Sequence, residues 1–208
     1  MNKQQRTWMG IAALLLILVY FFPIWSISME APQYPEGIGM NITVNDIQGK
    51  EKHDLANING LNHYIGMKAI TPESIPELKI MPIIFGFLIV SGLVIALWGS
   101  RKWILVWLGF FVLFAIAGLV DFYIWGYDYG HNLNPNAPIK VPGMTYQPPL
   151  IGSKQLLNIN ATSLPHIGFY VALLSMGIAS LVWWKSGDTG TEGGSGNVGN
   201  NKGKKIAA

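Results

Sequence analysis

Five side chains in this sequence suit soft-metal chemistry: His53, His63, Met67, His131 and Met144. Imidazole and thioether ligands together favour a soft or borderline ion, and copper fits that pairing. In Asn57-Ile58-Asn59-Gly60-Leu61-Asn62-His63-Tyr64-Ile65-Gly66-Met67, a helix places His63 and Met67 four residues apart on one face. Tyr127-Asp128-Tyr129-Gly130-His131-Asn132 and Met144 supply the remaining ligands from a second segment. This spacing lacks the specificity of a two-histidine metalloprotease motif. The competing reading is packing, because Met fills irregular core gaps and Asn closes turns.

Two ionisable residues lie inside or beside apolar blocks. Asp121 sits four residues from the end of one block, where a carboxylate handles ions or protons or simply reaches interfacial water. His166, after Pro165, stands at the mouth of another, as an extra ligand or as a helix-start residue in the headgroup region. There is no cysteine, which excludes disulfides, thiolate zinc sites, iron–sulfur clusters and c-type haem attachment through this chain's own residues. No phosphate loop, nucleophile elbow, paired-carboxylate site or metalloprotease motif occurs, so the sequence reads as a non-enzyme.

The elements that must position these residues are apolar. Half of the 208 residues are hydrophobic and 12% are charged, against about 25% charged in soluble domains. Four apolar blocks, Trp8–Ile27, Ile80–Trp98, Trp103–Trp125 and Leu164–Trp184, approach the roughly 20 helical residues that a bilayer core requires. The first is read as an uncleaved anchor in preference to a signal peptide, since its apolar stretch is long and no small-x-small site follows. Trp residues mark the block ends, as in an aromatic belt. The expected fold is therefore an all-α membrane protein, a four-helix transmembrane bundle with a small extracytoplasmic cap made of two long loops. Its divisions are a tip and first span over 1–27, loop 1 over 28–79, a helical hairpin over 80–125, loop 2 over 126–163, a last span over 164–184 and a disordered tail over 185–208. Small residues, Gly86, Gly92, Ser91, Gly109, Ala115, Gly118, Gly168 and Gly177, are expected at close helix contacts.

The short segments carry Lys3, Arg6, Arg101, Lys102, Lys185, Lys202, Lys204 and Lys205, while the far longer loops carry six Lys. The positive-inside rule then places both termini in the cytoplasm and the loops outside, in a bacterial inner membrane. The net charge of +3 forms no stripe for nucleic acid. In loop 1, Met40, Ile42 and Val44 alternate as in a short strand. From Asp54, a candidate N-cap, Leu55, Ile58, Leu61 and Ile65 recur at helical spacing. Ser74-Ile75-Pro76-Glu77 has capping-box spacing ahead of the second span. Five prolines make loop 2 an ordered coil if it packs on loop 1.

Three strings, Glu30-Ala31-Pro32-Gln33-Tyr34-Pro35-Glu36-Gly37, the 57–67 segment and Tyr127-Asp128-Tyr129-Gly130-His131-Asn132-Leu133, resemble a poorly characterised family of small bacterial multi-pass membrane proteins. That family is associated with nitrous-oxide reductase maturation and copper handling. The resemblance covers most of residues 1–184 and implies copper supply outside the cytoplasm, but it transfers no ligand residues. Three functions compete. The first is an accessory protein that binds or relays copper, or docks a copper chaperone. The second is a metal-free structural or assembly subunit of a membrane complex, with the cap as the surface for a protein partner. The third is a redox or proton-coupled subunit using Asp121 and the histidines.

Overall fold

The computed structural model describes residues 1–141 and 143–188. The tail expected to be disordered lies, from residue 189 onward, outside the described residues.

Helix α1, Lys3–Leu15, begins with a capping box: Asn2 accepts from the Gln5 N–H, and the Gln5 side chain accepts from the Asn2 N–H. It tightens into a 3-10 turn over Leu16–Tyr20 and stops before Pro23. Strand β1, Trp25–Ala31, follows at once. The expected span through Ile27 is thus overturned. Trp25, Ile27, Met29 and Ala31 alternate with Ser26, Ser28 and Glu30, and that period of two belongs to a half-buried strand.

Three helices are long and apolar enough to cross a membrane: α3, Glu77–Trp98; α4, Arg101–His131; and the last, α5, Ile167–Asp188, whose candidate span is Ile167–Gly187. Between β1 and α3 lie β2 (Tyr34–Ile42), β3 (Ile47–Gly49) and α2 (Asp54–Ile65); between α4 and α5 lie β4 (Gly152–Leu156) and β5 (Ile159–Pro165). The strands form one antiparallel sheet in the order β3-β2-β1-β5-β4. The chain is therefore mixed α and β with three candidate membrane helices, not an all-α four-helix bundle. Loop 2, expected as coil, contributes two strands, and β1 pairs with β5 from Trp25↔Pro165 to Glu30↔Asn160. The two loops share one sheet.

α1 packs on α3 and α5. Met9, Ala12, Leu16 and Val19 are fully buried there beside Leu88, Ile104, Trp107 and Ala179. The buried Ser175 hydroxyl donates to the Ala12 carbonyl at 2.7 Å, and Trp107 Nε1 donates to the Leu88 carbonyl at 2.9 Å. Gly92 is a close helix contact, since a Cβ there would stand 2.8 Å from Ala13 Cβ. Gly109, Gly118 and Gly177 are not, because each faces open space. At the end away from the sheet, side chains near the chain start and the hairpin turn meet helix-end carbonyls. Arg6 Nε donates to Ala96 O at 2.8 Å and its Nη2 donates to Leu97 O. Gln5 reaches Lys185 O, and Arg101 reaches Trp183 O while lying 5.0 Å over the Trp183 ring. Cationic donors suit the negative ends of helices.

α4 has 31 residues, about 46 Å at 1.5 Å per residue, against a hydrocarbon core of about 30 Å. Its last turns stand beyond the apolar stretch and serve as the post on which the cap is built. Trp25, Ile27, Ile38 and Met40 from the inner sheet face join Ile47, Ile58, Ile70 and α4's Tyr129 in a second apolar core, with Phe122 and Trp125 packed against it. The segment 126–131, expected as loop, is helix.

Candidate functional site

The residues that hold the cap together are polar. Asp54 is buried; its carboxylate accepts the Gly39 N–H at 2.9 Å and the Glu51 N–H at 3.2 Å, fastening α2 to β2. It is the first helical residue, not the expected N-cap, a position that falls to His53 without a side-chain bond. Asn59 presents its amide like a strand partner: Oδ1 accepts the Ile70 N–H at 2.7 Å and Nδ2 donates to Ile70 O at 3.0 Å. Fully buried Ser163 accepts from Trp25 Nε1 at 2.8 Å and donates to Leu150 O at 3.1 Å, linking β1, β5 and the approach to β4. The capping box expected at Ser74–Glu77 is absent. Pro76 is the N-cap of α3 and makes no side-chain cap bond, while Ser74 closes a preceding 3-10 turn with Thr71.

α2 ends at a left-handed Gly66, φ 83°, a conformation that glycine adopts without Cβ strain. The Met67 N–H then reaches back to Asn62 O at 2.8 Å, closing a Schellman turn. Met67 therefore lies beyond the helix, and the expected one-face pairing with His63 does not form. Its side chain packs against the cap core. His53 and His63 stand at opposite ends of α2, about 15 Å apart along the axis at 1.5 Å per residue, too far for two imidazoles to share one ion at about 2.0–2.1 Å. Both are exposed, and His63 meets the Tyr64 ring edge-on. His131, the last residue of α4, is exposed and stacks on Tyr127 at 3.9 Å, with Nδ1 2.9 Å from Tyr127 O. Met144 is half-buried in the connection before β4. The five expected ligands thus do not fit one centre. Among the described residues, no group of three or more His, Cys, Asp or Glu is placed to hold a metal ion.

Asp121 lies on α4, where it feels the Glu77 carboxylate of α3, and it has no ion pair among the described residues. His166 sits where β5 turns into α5; its N–H donates to Ile24 O, and its Nδ1 is buried with no partner among the described residues.

The tops of α2 and α4 are brought together by residues 133–141 and 143–146. The Asn134 N–H donates to Gly66 O, the Ile139 N–H to Tyr64 O and the Tyr146 N–H to Gly130 O, at 2.8, 2.9 and 3.0 Å. Half-exposed Lys68 and Asp128 add an ion pair at 2.7 Å across the same junction. Beside the end of α2 opens a cleft of about 200 Å3, walled by Ile65 of α2 and by Leu133, Ile139 and Val141, with Tyr146 and Lys140 also lining it. Tyr146 is buried, and its hydroxyl has no partner among the described residues.

The sequence reading missed this junction, whose one local signal is Gly130 in the last turn of α4. A glycine lets another backbone approach closely, and Gln147 crosses α4 directly over Gly130. Ser163 and Asn59 had no comparable signal, since each works through partners distant in sequence. Compared with known proteins, the chain matches no family model, no curated protein and no solved structure.

Proposed function

We propose that this protein is a non-enzymatic accessory protein of a bacterial inner membrane, whose extracytoplasmic cap is a binding module for a protein partner. The β1–β5 pairing carries the reading: two segments more than a hundred residues apart build one sheet with its own core. That is more structure than connections between spans require. Orientation follows from charge. Lys3, Arg6, Arg101, Lys102 and Lys185 gather at the end opposite the sheet, and the positive-inside rule puts that end in the cytoplasm.

Photo-cross-linking residues placed at exposed Tyr64, Ile139 and Gln155 on the cap, and at lipid-facing Val90, test it in native membranes. One discrete protein adduct from cap positions and none from Val90 supports the reading. Absence of an adduct from every cap position contradicts it.

A second reading, copper binding or relay or the docking of a copper chaperone, draws on the family resemblance and on two exposed imidazoles. His63 and His131 each precede by three residues a partner in the Gly66–Asn134 hydrogen bond. Cu(I) titration against a competing chelator decides this. Stoichiometric binding that disappears in the His63→Ala, His131→Ala double variant supports it, and no binding by the wild type ends it.

A further inference from the structure

We propose that the cleft between the end of α2 and the segment that follows α4 binds a small apolar carboxylate. This rests on reading the cap as a binding module and names one chemistry that the module takes.

The size suits a ring or a branched chain. The cleft holds about 200 Å3, and an apolar cavity of about 150 Å3 accepts benzene. The walls, Ile65, Leu133, Ile139 and Val141, are apolar, and no carboxylate lines them. The site is also pre-formed, because Asn134 and Ile139 are pinned by backbone hydrogen bonds to the turn that ends α2 and to α2 itself, and Tyr146 is pinned to Gly130 of α4.

Charge selects the rest. Lys140 is exposed at the cleft and has neither ion pair nor hydrogen bond among the described residues. A lysine ammonium is a point charge on a flexible stem, able to swing over a cleft mouth and meet one carboxylate. The lining has no Arg fork for bidentate phosphate. It also has no His, Asp or Glu for a metal. An apolar body in the cleft with one negative charge at Lys140 satisfies both features. A free aromatic or branched acid supplies that chemistry, and so does the C-terminal residue of a polypeptide ending in an apolar side chain.

The test uses the full chain in detergent micelles and 19F NMR of 4-fluorobenzoate. Saturable binding above empty micelles is expected, with the neutral 4-fluorobenzamide binding about tenfold more weakly, the scale of one charge-assisted contact. Lys140→Met should weaken the acid by about tenfold and leave the amide unchanged. Ile139→Trp, which fills the cleft from an exposed position, should abolish both. Lys52→Met, a charge removed from an exposed position away from the cleft, should change nothing. The proposal is overturned if the wild type gives no signal above empty micelles, if amide and acid bind alike, if Lys140→Met retains full affinity for the acid, or if Lys52→Met weakens it equally. The peptide Ala-Ala-Phe with a free carboxyl, compared with its amide, separates the sources. Competition by the free-carboxyl peptide alone points to a chain terminus, and competition by neither points to a free acid. If the cleft fails while cap cross-links persist, the ligand is wrong and the binding module stands.

Discussion

Adding one methyl group to Gly130 separates a cap built on α4 from a generic view of helix glycines. A Cβ at Gly130 would stand 2.3 Å from Gln147 N and 2.4 Å from its Cα. These are backbone atoms that cannot swing aside, so the crossing segment must lift from α4. Overpacking of this kind costs about 1–3 kcal/mol. The Tyr146 N–H to Gly130 O bond, 3.0 Å long, is weakened with it, for about 1 kcal/mol more. Against this, Ala is favoured over Gly in a helix by about 1 kcal/mol. Gly130→Ala should therefore lose about 1–3 kcal/mol of stability. Gly126, one turn earlier, has nothing within 4 Å of a Cβ position. Gly126→Ala should gain up to about 1 kcal/mol. Equilibrium unfolding in mixed micelles, followed by tryptophan fluorescence, reads both. A Gly130→Ala protein as stable as Gly126→Ala would refute the crossing.

Other substitutions examine the remaining fastenings. Ser163→Ala leaves Trp25 Nε1 and Leu150 O unpaired at a fully buried position and should cost about 1–3 kcal/mol in the same unfolding assay. Asp54→Ala removes the one carboxylate oxygen that accepts both N–H groups. A loss of about 1–3 kcal/mol is expected, with faster amide exchange at Gly39 as its local sign. Lys68→Ala removes an ion pair between half-exposed groups, so a small change in stability that shrinks further at high salt is expected. A large, salt-independent loss would show that the pair does more than close the junction.

The three long apolar helices were legible because hydropathy is local, and α3, α4 and α5 fall inside three of the four apolar blocks or extend them. The first block failed because apolar content was followed through Pro23 into Trp25 and Ile27, where alternation with serine already spelled a strand. The start and the buried face of α2 were legible from Asp54 and from Leu55, Ile58, Leu61 and Ile65, but its end was not. Met67 was misplaced by carrying the helical spacing one residue past the glycine that ends it. The sheet was only partly legible. Alternation showed at Met40 and Ile42, but β4 and β5 are short polar-rich strands whose pairing with β1 depends on contacts across more than a hundred residues. The candidate ligands were chosen by residue type, and type does not carry distance: His53 and His63 sit on one helix at opposite ends. The cleft was illegible because its walls come from two places distant in sequence, the end of α2 and the stretch after α4, brought together by backbone hydrogen bonds.

Everything proposed for the cap depends on the two loops forming one sheet. Ser28 and Thr162 are direct partners between β1 and β5. Antiparallel partners have Cα atoms about 4.5–5.5 Å apart, within the range of about 4.4–6.8 Å that a disulfide tolerates. The chain has no cysteine of its own, so Ser28→Cys combined with Thr162→Cys gives an unambiguous readout. Under mild oxidation in native membranes, an intramolecular disulfide is expected in nearly every molecule of that double variant, while Ser28→Cys combined with Ser91→Cys on α3 forms none. A Ser28→Cys, Thr162→Cys protein that stays reduced, though maleimide reaches both thiols, would contradict the shared sheet.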